Sequence, residues 1–191
     1  MTDAYNEEAQ AIAACRAGTR EAFAWLVDRH RDAVYQFAWR MCGNPSDAED
    51  LAQEAFVRAF TRLEQYAPER GTFRNWVLGI CANLARGQFR WRQRARAMTR
   101  RFAEHEQLRI EAVEAGQASD AGRVEDVSRA LDALPVSLRV PVVLKYMEDL
   151  SVQEIARSLG IGESAVKMRL ARGRERLLDR LKPGRGPGGE R

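Results

Sequence analysis

The chain's 191 residues, 45% hydrophobic and 30% charged, suit a folded protein of one domain or two small ones, and no apolar run nears the ~18–20 residues of a membrane span. The opening MTDAYNEEAQ is acidic and polar rather than secretory, and three cysteines (Cys15, Cys42, Cys81) without a CxxC pair, beside two histidines, argue against a zinc site, so a reducing cytoplasm is expected. The net charge of +4 is strongly segregated: seven arginines and no acid lie between 86 and 101, two bases against seven acids between 102 and 126, and nine bases against four acids between 162 and 191.

The pattern predicts helix almost throughout. Glu7 to Ala17 and Glu21 to Met41 form two helices, broken at Gly18-Thr19. In the second, Phe23, Leu26, Val27, His30, Val34, Phe37, Ala38 and Met41 trace the buried side, which makes His30 a core or edge residue rather than a ligand. Pro45 to Leu63 carries the clearest stripe: Ala48, Leu51, Ala52, Ala55, Phe56, Ala59, Phe60 and Leu63 recur at spacings of three and four. Asn44 is placed to cap that helix, with Pro45 and Asp47 suiting its first turn. Its opposite face offers Glu49, Asp50, Gln53 and Glu54 to solvent or to a partner.

APERGT, 67 to 72, reads as a loop. A helix from about Phe73 to Arg94 then buries Trp76, Val77, Ile80 and Leu84, with Gly79 and Gly87 loosening it. Its second half interleaves Phe89 and Trp91 with arginines: the cations suit phosphates and the rings suit exposed bases. Asn83 can pair with a base edge through two hydrogen bonds, or serve as a cap or surface amide. Met98 to Asp126 reads as an acidic, flexible connector.

A second helical unit opens with Val127, Ala130, Leu131 and Leu134 and continues through Val140, Val143, Leu144 and Met147. Leu150 to Arg176 has the pattern of a helix-turn-helix. Ala156 permits a close crossing, Gly160 supplies the turn, and Val166 plugs the second helix from below. Ser164, Lys167, Met168, Arg169, Ala171 and Arg172 then face outward as a polar and basic surface fit for a major groove. Gly173 interrupts that helix, and KPGRGPGGER after Leu181 reads as a disordered tail. Two basic blocks, each ending a helical unit, are the footprint of a chain that grips nucleic acid at two places.

NPSDAEDLAQEAFVRAF (44–60), GTFRNWVLGICANLAR (71–86) and ALPVSLRVPVVLKYMEDLSVQEIARSLGIGESAVKMRLARGRERL (133–177) together resemble the bacterial RNA polymerase sigma factors of the extracytoplasmic-function group, in that family's order. The resemblance implies an all-α fold of two small domains: sigma region 2 at 1–97, an acidic linker at 98–126, sigma region 4 at 127–182 and a tail at 183–191. It implies that Asp50, Gln53 and Glu54 dock on the β′ clamp helices of core polymerase, with the β flap as a further polymerase contact. Asn83, with Arg86, Arg90 and Trp91, matches the part that holds and melts the −10 element, and 67–72 forms the rim of its base pocket. Ser164, Lys167, Met168, Ala171 and Arg172 match the −35 reading positions, and Arg174 a phosphate contact. Met168 stands where a small hydroxyl residue is frequent and Ala171 where a larger side chain often reaches a base, so the −35 sequence is not legible.

The same resemblance implies a transcription initiation factor without cofactor or catalytic residues, which answers an envelope or environmental signal. It also implies an anti-sigma partner, often membrane-bound, and no obligate homo-oligomer. Each grip is small by itself; a polymerase that fixes their separation turns the second contact into an effectively intramolecular one. A dimeric helix-turn-helix regulator would use the C-terminal block but leave the acidic face and the Arg/aromatic run idle. An all-helical enzyme acting on nucleic acid lacks any cluster of catalytic carboxylates or metal ligands.

Overall fold

The computed structural model describes residues 2–103, 127 and 129–181, with side-chain surroundings for 6–90, 127 and 129–181. Among the described residues every regular element is helical: α1 (Thr2–Arg16), α2 (Ala22–Cys42), α3 (Pro45–Thr61), α4 (Phe73–Ala103), α5 (Val136–Tyr146), α6 (Val152–Leu159) and α7 (Glu163–Leu181), with two short 3-10 turns at Leu63–Gln65 and Pro68–Arg70. The greater part of the expected linker, and the expected tail, lie outside the described residues.

The helix ends follow local chemistry. Gly43 closes α2 in the left-handed conformation (φ 73°), its N–H donating to Trp39 O at 2.8 Å. Asn44 then caps α3, accepting from Asp47 N–H at 2.9 Å, with Pro45 at the first helical position. α4 continues to Ala103, beyond the expected end at Arg94 and over the first residues of the expected linker. Arg, Gln, Ala and Met after Gly87 are good helix formers, and nothing in that stretch stops a helix.

α2, α3 and α4 form the first bundle. Leu26, Val34, Phe37 and Met41 meet Leu51, Ala55 and Ala59, and α4 adds Phe73, Val77, Leu78 and Cys81. The alanines of α3 keep that helix close to its neighbours. Phe60, counted on the stripe, is 39% exposed and packs at the edge of the core against Phe23, with ring centroids 5.0 Å apart. His30 is buried as expected, its Nε2 bonded to Glu8 of α1 at 2.7 Å, and this pins α1 to the bundle. Burial pushes the Cys81 thiol far above its ordinary range, helped by Cys42, so it packs as an apolar filler.

The second bundle is α5, α6 and α7. Val140, Val143 and Leu144 of α5 pack with Leu150, Ile155, Leu159, Val166 and Leu170. Gly173, read as an interruption, is instead a contact point: a Cβ there would lie 2.6 Å from Val142 Cγ2. Only a residue without a side chain lets α7 cross α5 so closely. Met147 differs from expectation and is 38% exposed, because α5 ends at Tyr146 and the chain turns away. Asp149 makes that turn in the left-handed region (φ 58°), which Asp tolerates better than most residues, and Leu150 N–H reaches back to Leu144 O at 2.9 Å.

The two bundles share one continuous buried cluster. α6 lies on α4, and α5 packs against α2 and α4. Arg139, on the buried side of α5, donates through Nη1 to Met41 O at 3.1 Å and to Asp132 Oδ1 at 2.9 Å, bracing the second bundle against the end of α2. Burial lowers its guanidinium from the usual value, against the pull of Asp132.

Candidate nucleic-acid interface

The outward face of α7 is built by the turn before it. Ser151 caps α6 by accepting from Glu154 N–H at 3.1 Å, and the Glu154 carboxylate accepts from Ser151 N–H at 2.9 Å. Desolvation raises the Glu154 carboxyl but is outweighed by these bonds and by Asn75, so it sits below the ordinary carboxylate range. Gly160 ends α6 at φ 62°, and Ile161 N–H donates to Ala156 O at 3.0 Å. Val166, Leu170 and Gly173, at helical spacing, point into the bundle. Ser164, Lys167, Met168, Ala171, Arg172 and Arg174 are therefore left exposed together, whereas Arg169, also expected to face outward, is only partly exposed and lies near Arg86. A helix of this width, polar and cationic on its free side, fits a major groove.

The second surface lies on α4 and the loop before it. Tyr66 and Phe73 meet edge to face, and Trp76 lies tilted against both, with ring centroids 5.4 to 5.7 Å apart. Tyr66 Oη donates to Gly71 O at 3.1 Å, and Arg16 Nη2 donates to Tyr66 O at 2.5 Å, so the 67–72 rim is braced from both sides. Trp76, expected in the core, is only half-buried. One side meets Tyr66 and Phe73, and the other lines a cavity of about 380 Å³ with Ala67, Arg70, Thr72 and Asn75.

Asn83, Arg86 and Arg90 follow along α4. Asn83 is exposed, yet its amide nitrogen donates to Gly79 O at 3.0 Å and to Ser158 O at 2.6 Å. Arg86 Nη1 donates to Leu159 O at 3.1 Å. Desolvation lowers the Arg86 guanidinium from its usual value, and the nearby charges of Arg169 and Arg90 add to this. Arg90 is exposed, whereas the side chain of Trp91 lies outside the described residues.

Several participants carry no mark in the sequence. Glu148 is 3% exposed at its side chain and accepts from Arg40 Nη1 at 2.9 Å and from Arg74 Nη2. Burial pushes its carboxyl above the ordinary range, against Arg74 and Arg40, with Asp149 adding to the rise. Asn75 Nδ2 donates to Glu154 Oε1 at 2.7 Å, and Arg157 Nη1 to Arg70 O at 2.6 Å. Only the turn-forming Glu-Asp before the helix-turn-helix hints at Glu148.

A third surface is the free side of α3. Asp50 and Gln53 are exposed, and Glu54 is partly so, held by Arg58 Nε at 2.7 Å. Together with Val57, 52% exposed, they line a groove against Leu84, Gly87 and Arg90 of α4. Among the described residues no group of His, Cys, Asp and Glu could hold a metal ion, and no helix is long and apolar enough to cross a membrane.

Fold and surfaces define an all-helical protein with a helix-turn-helix module and a second basic helical module. Residues 26–106 match sigma-70 region 2, and residues 125–177 match sigma-70 region 4. The chain is 40% identical over 157 residues to the extracytoplasmic-function sigma factor SigE of Mycolicibacterium smegmatis, covering 82% of this chain and 60% of that one. It is 33% identical over 174 residues to SigW of Bacillus subtilis, covering 87% and 92%. The structure of CnrH, in complex with the cytosolic domain of CnrY, superposes with a TM-score of 0.66 at 27% identity, over 94% of this chain and 99% of that one. The chain belongs to the extracytoplasmic-function RNA polymerase sigma factors of the sigma-70 family.

Proposed function

We propose that the chain binds core RNA polymerase and directs promoter-specific initiation by reading two DNA elements. The observation that carries this reading is the exposed polar and basic face of α7 on a capped helix-turn-helix, in one chain with a separate acidic face on α3. In this reading Lys167, Met168, Ala171 and Arg172 meet −35 base edges, Ser164 lies beside them, and Arg174 contacts phosphate. Region 2, within 1–97, takes up −10 bases at the Trp76-lined cavity. Asn83 pairs with an unstacked base, Arg86 and Arg90 hold the backbone, and the Trp91 ring stacks on an exposed base. Residues 98–126 tether this domain to region 4 at 127–182, ahead of a tail at 183–191.

Asp50, Gln53 and Glu54 meet the β′ clamp helices of core polymerase, and region 4 meets the β flap. The polymerase supplies the bond chemistry, so this chain is a cytoplasmic initiation factor rather than an enzyme. The likeness to CnrH, solved in complex with the cytosolic domain of CnrY, supports a further protein partner, which this reading takes to be an anti-sigma factor. Charge reversal tests the docking face. Asp50→Arg with Gln53→Ala should weaken core polymerase binding at least ~10-fold in a pull-down titration. Both sites are exposed, so the thermal unfolding midpoint should hold within the ~0.5 kcal/mol typical of surface changes. Undiminished polymerase binding contradicts the assignment.

A further inference from the structure

The Trp76 cavity is held from behind by a helix that does not line it. α1 ends at Arg16, whose guanidinium reaches the 3-10 turn at Leu63–Gln65, 47 to 50 residues further along the chain. Its Nη2 carries two hydrogens and donates to Leu63 O at 3.1 Å and to Tyr66 O at 2.5 Å. These carbonyls stand at the two ends of the turn, so one planar group fixes both. Glu64, 79% exposed at its side chain and 4.0 Å from Arg16 Nε, adds little.

Tyr66 passes this hold on to the cavity. It is buried, its ring lies 5.4 Å from Trp76 and 5.5 Å from Phe73, and its Oη donates to Gly71 O at 3.1 Å. The rim therefore starts at the Tyr66 carbonyl, which Arg16 holds, and is tied back at Gly71 to the Tyr66 hydroxyl. Tyr66 and Trp76 line the cavity with Arg70 and Thr72, whereas Arg16 does not. A second pin of α1 ends on the same aromatic group: Glu8 holds His30 Nε2 at 2.7 Å, and the His30 ring lies 5.5 Å from Phe73.

We propose that Arg16 is a positioning residue for −10 selectivity: by holding both ends of the 63–66 turn it sets where Tyr66 carries the rim and the Trp76 ring against an unstacked base. The proposal rests on the −10 role given above to that cavity and to Asn83. A recognition site discriminates only as far as its walls are held, to within about 0.5 Å. Without Arg16 the Tyr66 ring stays packed, but its carbonyl is released and the rim loosens. The −35 face on α7 takes no part in this turn.

The test is single-round transcription by core polymerase with the full chain, on promoters selected from a randomised library, with each −10 base then replaced in turn. Each variant is assayed at the same interval below its own unfolding midpoint, which matches any general loosening of the bundle. Arg16→Ala should lower the ratio of matched to mismatched −10 templates about fivefold or more, the low end of what a mismatched base costs. The ratio for intact against scrambled −35 blocks should stay at the parent's value. Arg16→Lys keeps the cation at the end of α1 without the planar fork, and should fold like the parent and lose about twofold. Glu64→Gln should match the parent. A lowered midpoint with the parent's −10 ratio in Arg16→Ala makes Arg16 a mere fastening of α1 and overturns the proposal. If the alanine chain does not fold, the parent's ratio in Arg16→Lys overturns it in the same way. Asn83→Ala separates the two readings: its loss of −10 selectivity beside an unchanged Arg16→Ala overturns the role of Arg16 alone. The parent's ratio in both overturns the −10 reading and the role of Arg16 with it.

Discussion

Replacing Lys167 and Arg172 together by alanine should abolish dependence of transcription on the −35 element while leaving core polymerase binding unchanged. Both side chains are exposed on the free side of α7, whose packing relies on Val166, Leu170 and Gly173 instead. The loss is therefore one of recognition and not of fold. Each good groove contact is worth about 1–3 kcal/mol, so the pair should cost from roughly 30-fold to 10⁴-fold in promoter affinity. Part of that is phosphate attraction, and the variant should also show a shallower dependence on salt. Competition between promoters with intact and scrambled −35 blocks measures the effect. Equal discrimination by variant and parent, or loss of polymerase binding in the variant, would contradict the assignment.

Phe73→Ala should be the most damaging single truncation in region 2. Phe73 is fully buried at the start of α4, with rings of Phe23, His30, Tyr66 and Trp76 at 5.5 to 6.4 Å. Aromatic-to-alanine changes in a packed core cost about 3–5 kcal/mol, a large share of the roughly 5–15 kcal/mol that holds a domain together. Phe73 also supports Tyr66 and Trp76 at the cavity, so −10 function should fail at temperatures where the bundle still folds. Val57→Ala, at a position 52% exposed, is the control and should stay within about 0.5 kcal/mol. Urea titrations followed by helical circular dichroism give both values; a Phe73→Ala chain as stable as the control would show that the aromatic cluster is not a core.

What could be read from the sequence was what neighbouring residues decide. Asn44, Pro45 and Asp47 announce the start of α3, the alanine stripe announces its buried side, and Gly160 announces the turn before α7. Each signal lies within a few residues of its effect. The exposed face of α7 followed because the buried positions fix the free ones. The pairing of Glu148 with Arg40 and Arg74 spans 108 and 74 residues, and no local pattern encodes it. Gly79 and Gly173 were misread for the same reason. Within a helix a glycine looks like a weak point, and only the side chain across from it, Ser158 or Val142, shows why it is needed. Arg139 resembles any surface cation until α2 and Asp132 close around it. Phe60 and Met147 follow the apolar period, but Phe60 sits at the edge of the core and Met147 lies past the end of its helix, so neither is fully buried.

The central claim is that two small helical modules become a promoter reader once polymerase spaces them. Transcription by core polymerase on a library of randomised promoters, with and without this protein, tests it most directly. The account predicts transcripts only when the protein is present, from templates that share two short blocks at a fixed spacing. Failure of the protein to associate with core polymerase, together with no initiation above the core enzyme alone, would contradict it.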